Sequence, residues 1–579
     1  MKVILATADS QFIHSNLAVR YLKKHTKHIE CEVKILETTV NDDPENFLER
    51  IVIENPDLVV FSCYIWNITY LKKIMGNLKI VLPQCLIAAG GPEVAYNPEG
   101  FLNDSECDLV METEGEEVFP ELLSELLKDS TTSFDTVKGL YIKSNNSIKY
   151  TGDRGPLDFD KVVFPYSKED IDGLDNRIVY YEAQRGCPFR CSYCLSSIDK
   201  RLRKHDLERV KNELDFFLEN RVDLVKFVDR TFNADEEYSF NIWSHILNKA
   251  LEIYPKDNVG TCFHFEVEAG LLSERQLELL CSVPKGLIQI EAGIQSTDPT
   301  VLLNINRDDR FDKASVNLKR VIEAGRVHVH TDLIVGLPGD SYDKIVTSFN
   351  DCMELKPDML QLGFLKVLHG TPITKVLGEF QIKYRAYPPY EVLSTRDLSF
   401  RKISQFKKDD EIVSKYWNSN KFHTSMRYLL TKYEAPFDLF TDIHRIYAEW
   451  RIKKENLSIV DYYSLLLDLS KVLDTESSEI LAEMVRFDFV INNRKGYIPD
   501  TLASEKYNSI KGEIILDHKR AEKLKGTVTG YRIDVLEFFS HSFLKHEETY
   551  IFISLNDRNI YKVRQNKHKQ FEVIDSINP

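Results

Sequence analysis

The sequence predicts an α/β chain in three parts: a doubly wound, flavodoxin-like (Rossmann-like) parallel sheet, a partial (β/α)6 barrel of TIM type, and a mainly helical α+β region. Three observations predict it. Short apolar runs alternate with amphipathic stretches through the first 130 or so residues. Three cysteines crowd into Gly186-Cys187-Pro188-Phe189-Arg190-Cys191-Ser192-Tyr193-Cys194, directly after a strand-like run at 179–184. Six strand-like runs, one before these cysteines and five after, each end in a polar or glycine-rich loop. That is two short of a closed eight-stranded barrel.

A chain of 579 residues has room for roughly three or four domains. Its 43% hydrophobic and 28% charged content is that of an ordinary globular protein. The longest apolar runs, such as 58–61, fall far short of the ~18 residues of a membrane helix, and no signal peptide is read. A cytoplasmic location without membrane contact is therefore expected. Ten cysteines in that compartment stay reduced and free to bind metal. A net charge of −15 argues against a surface that coats nucleic acid. Neither an internal repeat nor a low-complexity tract is present.

In order, 2–7 reads as a strand and 16–25 as a helix with Ser15 as N-cap. Strands follow at 33–36, 58–63, 85–89 and 108–111, with helices at 44–54 and 116–127. Ligands of such sheets sit beyond the carboxyl ends of the strands. There the chain places Ser62, Cys63, Tyr64, Ile65, Trp66 and Asn67, then Gly90, Gly91, Pro92, Glu93 and Val94. The Gly-Gly pair either lets the backbone approach a ligand or simply turns the chain. Residues 137–142 and 147–150 flank Asn145-Asn146 as a hairpin, and 155–166 reads as an extended crossing. The expected divisions are 1–135, a linker with the hairpin at 136–174, the barrel at 175–375, and 376–579.

Cys187, Cys191 and Cys194 stand at C-x3-C-x2-C spacing, so their thiolates can converge on one iron–sulfur cluster. A four-iron cube normally takes four cysteines, and three leave one iron open. A structural zinc site wants four closed ligands, and the nearest downstream histidine, His205, lies on a charged stretch. Disulfides do not suit a chain without secretion signals.

Three cysteines at these two spacings, with the aromatic Tyr193 before the last, resemble the radical S-adenosylmethionine (SAM) superfamily. There SAM chelates the open iron through its amino and carboxylate groups, and an electron from the cluster cleaves it to a 5′-deoxyadenosyl radical. Preceded by a Rossmann-like sheet with a Gly-Gly loop, the motif is similar to the cobalamin-binding class of that superfamily. The resemblance implies a [4Fe-4S] cluster, SAM and cobalamin as cofactors. It sets the cobalamin tail near Gly90, Gly91, Pro92 and Glu93. The D-x-H-x-x-G motif that supplies a lower cobalt ligand in many cobalamin domains is absent here. The resemblance then brings cobalt's lower face to the loop of Ser62, Tyr64, Trp66 and Asn67. Packing against the next domain is the other reading of Tyr64 and Trp66.

The barrel's strand ends are apportioned by the groups SAM offers. Asp229, in Asp229-Arg230-Thr231-Phe232-Asn233, suits the ammonium; Glu291, Gln295 and Ser296 suit the ribose hydroxyls or the carboxylate. Gly336-Leu337-Pro338-Gly339, the backbone of 365–368 and Tyr193 flank adenine. A helix cap, a satisfied core carboxylate or a plain turn is the local alternative for each. Glu266 and Glu268, with His264, point into the barrel if Phe263, Phe265 and Val267 face the helices. There the two glutamates are catalytic candidates, contacting substrate or SAM, or else they pair with Arg326 or His330. Arg185 either steers SAM's carboxylate or pairs with Glu182.

The last 200 residues carry no motif that converts to chemistry. A Pro-Pro turn is read at 386–390, helical patterns from 398, an amphipathic stretch at 462–483, and strands at 487–491, 550–555 and 561–563, the last two joined at Asp557-Arg558-Asn559. A substrate-related role is expected for this region. The resemblance, carried by residues 1 to about 375, implies an enzyme that transfers a methyl group to an unactivated carbon of a small molecule or peptide, served by an electron donor such as flavodoxin or ferredoxin. One alternative is radical oxidation, cyclisation or rearrangement with cobalamin as redox partner or absent; another is a non-catalytic corrinoid or redox sensor. Methylthio transfer is disfavoured, because Cys31, Cys63, Cys85 and Cys107 are scattered and no basic RNA-binding barrel ends the chain.

Overall fold

The structure, a computed structural model, describes residues 1–128, 134–144, 147–254, 259–308, 310–492 and 499–502, and the backbone of four strands between 528 and 577. The chain divides into two compact units, 1–348 with 363–403, and 349–362 with 404–579.

The first sheet is built from β1 (Lys2–Asp9), β2 (Glu32–Thr39), β3 (Leu58–Ser62), β4 (Leu86–Gly90) and β5 (Leu109–Met111). These strands are parallel in the order β2-β1-β3-β4-β5, the flavodoxin order expected. β3 is buried along its whole length because helices cover both faces. Two separate cores result: Phe47, Phe61, Leu71 and Ile74 on one side, Val3, Val60, Phe119 and Leu122 on the other. The helix after β1, Leu17–His25, packs in the second core and the helix after β3, Ile68–Val81, in the first, so the crevice opens where these two connections part. Asn16, not Ser15, caps the first helix, Leu17–His25, by accepting from the Val19 N–H; the Ser15 hydroxyl donates to the Ile178 carbonyl instead. The hairpin expected in the linker, β6 (Leu140–Ser144) and β7 (Ser147–Tyr150), is part of this sheet, antiparallel on β5. Its Asn145-Asn146 turn lies outside the described residues. The crossing that follows is anchored, with Leu157, Phe159 and Val162 packed against Tyr21.

The second sheet begins with β8 (Val179–Tyr181). The strand-like run at 179–184 stops there: β9 (Gln184–Arg185) turns away to pair antiparallel with β10 (Arg203–Lys204). β11 (Leu224–Phe227), β12 (Cys262–Val267), β13 (Ile288–Gln295), β14 (His328–Val335) and β15 (Met359–Phe364) complete a six-stranded sheet in sequential order from β8. On β12 the alternation holds. Phe263, Phe265 and Val267 are buried, and Phe265 packs on Phe227, Phe232 and Trp243 under the covering helix Glu236–Ile253. His264 and Glu266 are left on the inner face.

In the second unit, helices run at Pro436–Lys453, Ile459–Asp468 and Thr475–Asn492. The amphipathic stretch read as continuous over 462–483 breaks at 469–474, where Asp474 accepts from the Ser477 N–H and restarts the chain as a new helix. The strand read at 487–491 is the end of that helix. Its Asp488 is buried and accepts from the backbone N–H groups of Thr424 (3.1 Å) and Ser425 (2.8 Å) and from the Ser425 hydroxyl (2.6 Å). Tertiary capping therefore overrides the β propensity of Phe487 and Phe489. Strands Thr549–Ser554 and Ile560–Gln565 form as expected, and Val528–Ile533 and Phe571–Ile577 extend them to a four-stranded antiparallel sheet. The 557–559 turn is outside the described residues.

Asp488→Ala leaves two buried N–H groups without an acceptor and is expected to cost about 2–3 kcal/mol. Thermal or urea unfolding of the full chain checks it, and Asp488→Asn, which keeps one acceptor oxygen, is expected to recover part of the loss.

Candidate active site

Between β9 and β10 the chain makes the closed loop that carries the three cysteines. Gly186 opens it at φ +97°, where a Cβ would collide with the carbonyl oxygen of Arg201, so only glycine fits. The loop is tied down along its length. Cys187 N–H donates to the Asp199 carbonyl (3.3 Å), Ser192 N–H to Ile305 (2.9 Å), and Ile373 N–H to Ser192 (2.8 Å). Cys187 and Cys191 are buried, Cys194 is half-buried, and none forms a disulfide. The Thr231 hydroxyl lies 3.5 Å from the Cys187 sulfur, and Arg307 Nη1 lies 3.8 Å from that of Cys191. Burial pushes the Cys191 thiol up, and the Arg307 guanidinium opposes that shift.

Three free thiols on one buried loop are the donor set of an iron–sulfur cluster with an open iron. Around them Gln184 Oε1, Ser192 Oγ and Asp229 Oδ1 are buried without a hydrogen-bond partner. Such orphaned atoms are costly in a closed core and suit a polar ligand beside the thiols. Asp229 keeps its other oxygen on the Ala183 N–H (3.1 Å), and burial, then the Glu182 charge, holds its carboxyl well above the usual range.

Arg307 was not singled out in the sequence, because nothing in its neighbourhood marks it; only the fold brings it to the cysteines. Its Nη2 donates to Glu268 Oε2 and to the Gly293 carbonyl, both at 2.5 Å. Glu268 is thus paired with Arg307, and Glu266 with Arg230 at 3.4 Å, rather than with Arg326 or His330. Gln295 ends β13 at a bulge with φ +69°. Ser296 is buried and turned to the helix Tyr342–Glu354, accepting from Asp298 N–H and facing the Ser348 hydroxyl. Glu291 lies four residues before Gln295, about 13 Å down the strand, bonded to Lys226 and His264. Tyr193 is largely enclosed beside Cys191 and Arg307, and burial raises its hydroxyl. Gly336 turns at φ +89° with Val392 against it.

A cavity of about 610 Å³ runs along the carboxyl ends of the first sheet. Asp9, Ser62, Gly90, Gly91, Thr113 and the Tyr64–Trp66 pair form one wall. Tyr64 and Trp66 stack on each other, with centroids 4.4 Å apart and planes at 10°. Gly91, at φ +107°, leaves no room for a Cβ against the Cys63 carbonyl, and the Thr113 hydroxyl is buried without a partner. Tyr180, Glu182, Arg185, Val228 and Arg230 form the opposite wall, from the strands on either side of the cysteine loop. His14 joins them, its Nδ1 held 2.7 Å from the Tyr180 hydroxyl. Asn67 and Glu93 do not line the cavity. The Asn67 amide is spent on Ala8, Ser62 and Tyr64 backbone groups, and Glu93 accepts from the Tyr390 hydroxyl at 2.6 Å.

Arg185 pairs with Glu182, as one reading had it, and also with Glu114 (2.8 Å) and Glu116 (2.7 Å) after β5. Arg203, its partner across the β9–β10 ribbon, reaches the same Glu114 at 2.8 Å. Burial would raise Glu114, but the hydrogen bond from Arg203 and the charge of Arg185 hold it down at about 2.

The geometry defines the class: a flavodoxin-like sheet whose crevice opens onto a partial barrel with a three-cysteine cluster loop. Comparison with known families agrees. Residues 2–123 match the B12 binding domain, 181–352 the radical SAM superfamily, and 378–552 a domain described as a protein of unknown function, DUF4080. The chain thus carries a B12 binding domain followed by a radical SAM domain, and these domains imply a [4Fe-4S] cluster, SAM and cobalamin as cofactors. An uncharacterised methyltransferase of Pyrococcus horikoshii, PH0819, is 25% identical over 61% of this chain and 76% of its own length. The cobalamin-dependent radical SAM methyltransferase TokK of Streptomyces tokunonensis is 28% identical over 49% of this chain, which spans only 43% of TokK. The solved structure of the radical SAM methyltransferase TsrM from Kitasatospora setae shares the fold, with TM-score 0.56 and 15% identity over 66% of this chain and 77% of TsrM. Among the described residues no helix is long and apolar enough to cross a membrane.

Glu114→Gln breaks the shared carboxylate and is expected to cost about 3 kcal/mol. A folded value near 2, below the ordinary ~4.3, means this stabilisation is complete above about pH 4.3 and disappears as the pH falls toward 2. The gap between wild-type and Glu114→Gln unfolding is therefore expected to close with acid. Alanine at Cys187, Cys191 or Cys194 is expected to abolish the visible absorption of a reconstituted cluster, with the far-ultraviolet circular dichroism retained.

Proposed function

We propose that this protein is a cobalamin-dependent radical SAM enzyme that transfers a methyl group to an unactivated carbon of a small-molecule substrate. The observation that carries the reading is the single cavity walled by the Gly90–Gly91 loop on one side and by the strands flanking the cysteine loop on the other. When bound, the cofactors supply a carbon radical that removes a substrate hydrogen and a cobalt-borne methyl group that replaces it. The chain's own residues hold and aim them. Cys187, Cys191 and Cys194 ligate three irons and leave the fourth open. Asp229 Oδ1 accepts the ammonium of SAM, and Gln295, with the turn from Gly336 and the enclosed Tyr193, bounds its nucleoside. Ser62, Gly90, Gly91, Pro92 and Thr113 border the cobalamin tail. The stacked faces of Tyr64 and Trp66 would offer bound cobalamin a flat aromatic wall. Glu266, with Arg230 lining the cavity, faces the substrate; Glu268 acts through Arg307. Residues from 376 onward select the substrate, and an external flavodoxin or ferredoxin supplies the electron.

Anaerobic reconstitution with iron, sulfide and hydroxocobalamin, followed by desalting, tests the two-cofactor reading. One cobalt retained per chain beside the cluster iron is expected, with 5′-deoxyadenosine and S-adenosylhomocysteine both formed under reduction. Gly91→Val is expected to lose the cobalt and keep the iron. Iron without cobalt in the wild-type chain defeats the proposal and leaves radical chemistry without methyl transfer.

A further inference from the structure

Deeper in the barrel, below the strand ends, the inner faces of β11 to β14 carry a second cluster of polar side chains. Register sets Lys226 beside His264, Glu266 beside Glu291, and Glu291 beside His330. His264 Nε2 lies 3.0 Å from Glu291 Oε2, and one ligand atom from each of His264, Glu291 and His330 falls within 4.8 Å of the others. The two imidazole rings meet edge to face, 5.4 Å apart. Burial, then the neighbouring His328 and His264, drives His330 down to about 3. Two residues further on β14, Asp332 has a buried Oδ1 without a partner. Burial, then the Glu291 charge, lifts its carboxyl to about 8.

Charged and imidazole groups on the inside of a barrel are costly unless each finds a partner. Here the pairing is incomplete. Lys226 and His264 both converge on the same oxygen of Glu291. The second carboxylate, Asp332, buries an oxygen without a partner, and His264 reaches a further partner only at 3.4 Å, the Gln289 amide oxygen. Two imidazoles and a carboxylate at such spacing are the ligand set of divalent first-row ions, which leave further positions for water or a substrate atom.

We propose that His264, Glu291 and His330 form a binding site for a divalent transition-metal ion of the zinc type, separate from the cysteine loop. The Lys226 ammonium stands 3.0 Å from Glu291 and competes with the ion for that carboxylate. The site does not rest on the methyl-transfer reading, which assigns none of His264, Glu291 and His330 to the cluster, to cobalamin or to SAM, Glu291 lying about 13 Å down the strand from Gln295.

The test uses the full chain carrying Cys187→Ala, Cys191→Ala and Cys194→Ala, so that cluster ligands do not contribute, titrated with Co2+ under reducing, oxygen-free conditions. The expected result is one bound Co2+ per chain with visible ligand-field bands and no thiolate-to-cobalt charge-transfer band. Affinity is expected to fall at least tenfold in His264→Ala and in His330→Ala, and to rise at least threefold in Lys226→Met, which removes the competing cation. His330, half-buried, keeps the test valid if the His264 variant fails to fold. No retained cobalt, or cobalt whose affinity is the same in His330→Ala, overturns the proposal.

Discussion

Glu114 is shared by two arginines, and the geometry of the catalytic half of the molecule depends on that sharing. Arg185 and Arg203 pair across the two-residue ribbon that closes the cysteine loop, and both reach over to the loop after β5 of the first sheet. Each guanidinium is a rigid fork, so two of them on one carboxylate fix direction as well as distance. A radical reaction between two bound cofactors tolerates little misplacement. Here one partly buried carboxylate sets the base of the cysteine loop against the rim of the first sheet's crevice. Arg177 repeats the device at the other end of that junction, reaching Asp9 and Glu37 of the first sheet.

Around this frame the structure sets aside groups that folding alone does not require. Gly91 and Gly186 hold backbone conformations in which a side chain would strike a carbonyl oxygen. Thr113, Gln184, Ser192 and Asp229 each bury a polar atom without a partner. Such atoms destabilise an unliganded protein. Their concentration along one cavity wall and one loop fits a chain that completes its polar core with bound cofactors. Burial holds the Asp229 carboxyl well above the usual range and lifts that of Asp9, in the wall of the first sheet, to about 7, as expected where carboxylates are held away from water.

Much of this was legible in the sequence because it depends on neighbours along the chain. The period of the apolar runs yielded the strands of the first sheet and its doubly wound class. Three cysteines within eight positions were bound to share a loop whatever followed. The alternation on β12 placed Phe265 outside and Glu266 inside, since a strand has only two faces. What escaped depended on partners distant in sequence. Asn67 and Glu93 sit in the expected loops, yet their side chains are consumed by Ala8 and Tyr390. The 487–491 segment has strand-forming residues, but three hydrogen bonds from Thr424 and Ser425 to Asp488 lock it as helix.

The sequence by itself determined the kinds of atoms available: soft sulfur at three close positions, a pair of glycines at a strand end, and acids at the ends of parallel strands. These are local properties, set by side-chain chemistry and by the two- and 3.6-residue periods. Only the tertiary structure decided which atoms meet. Arg307 reaches Cys191 across 116 positions and Glu114 reaches Arg203 across 89, and His264, Glu291 and His330 converge because three parallel strands fall in register. No local rule carries such encounters, since register and packing are fixed by the burial of the whole sheet and not by any one strand.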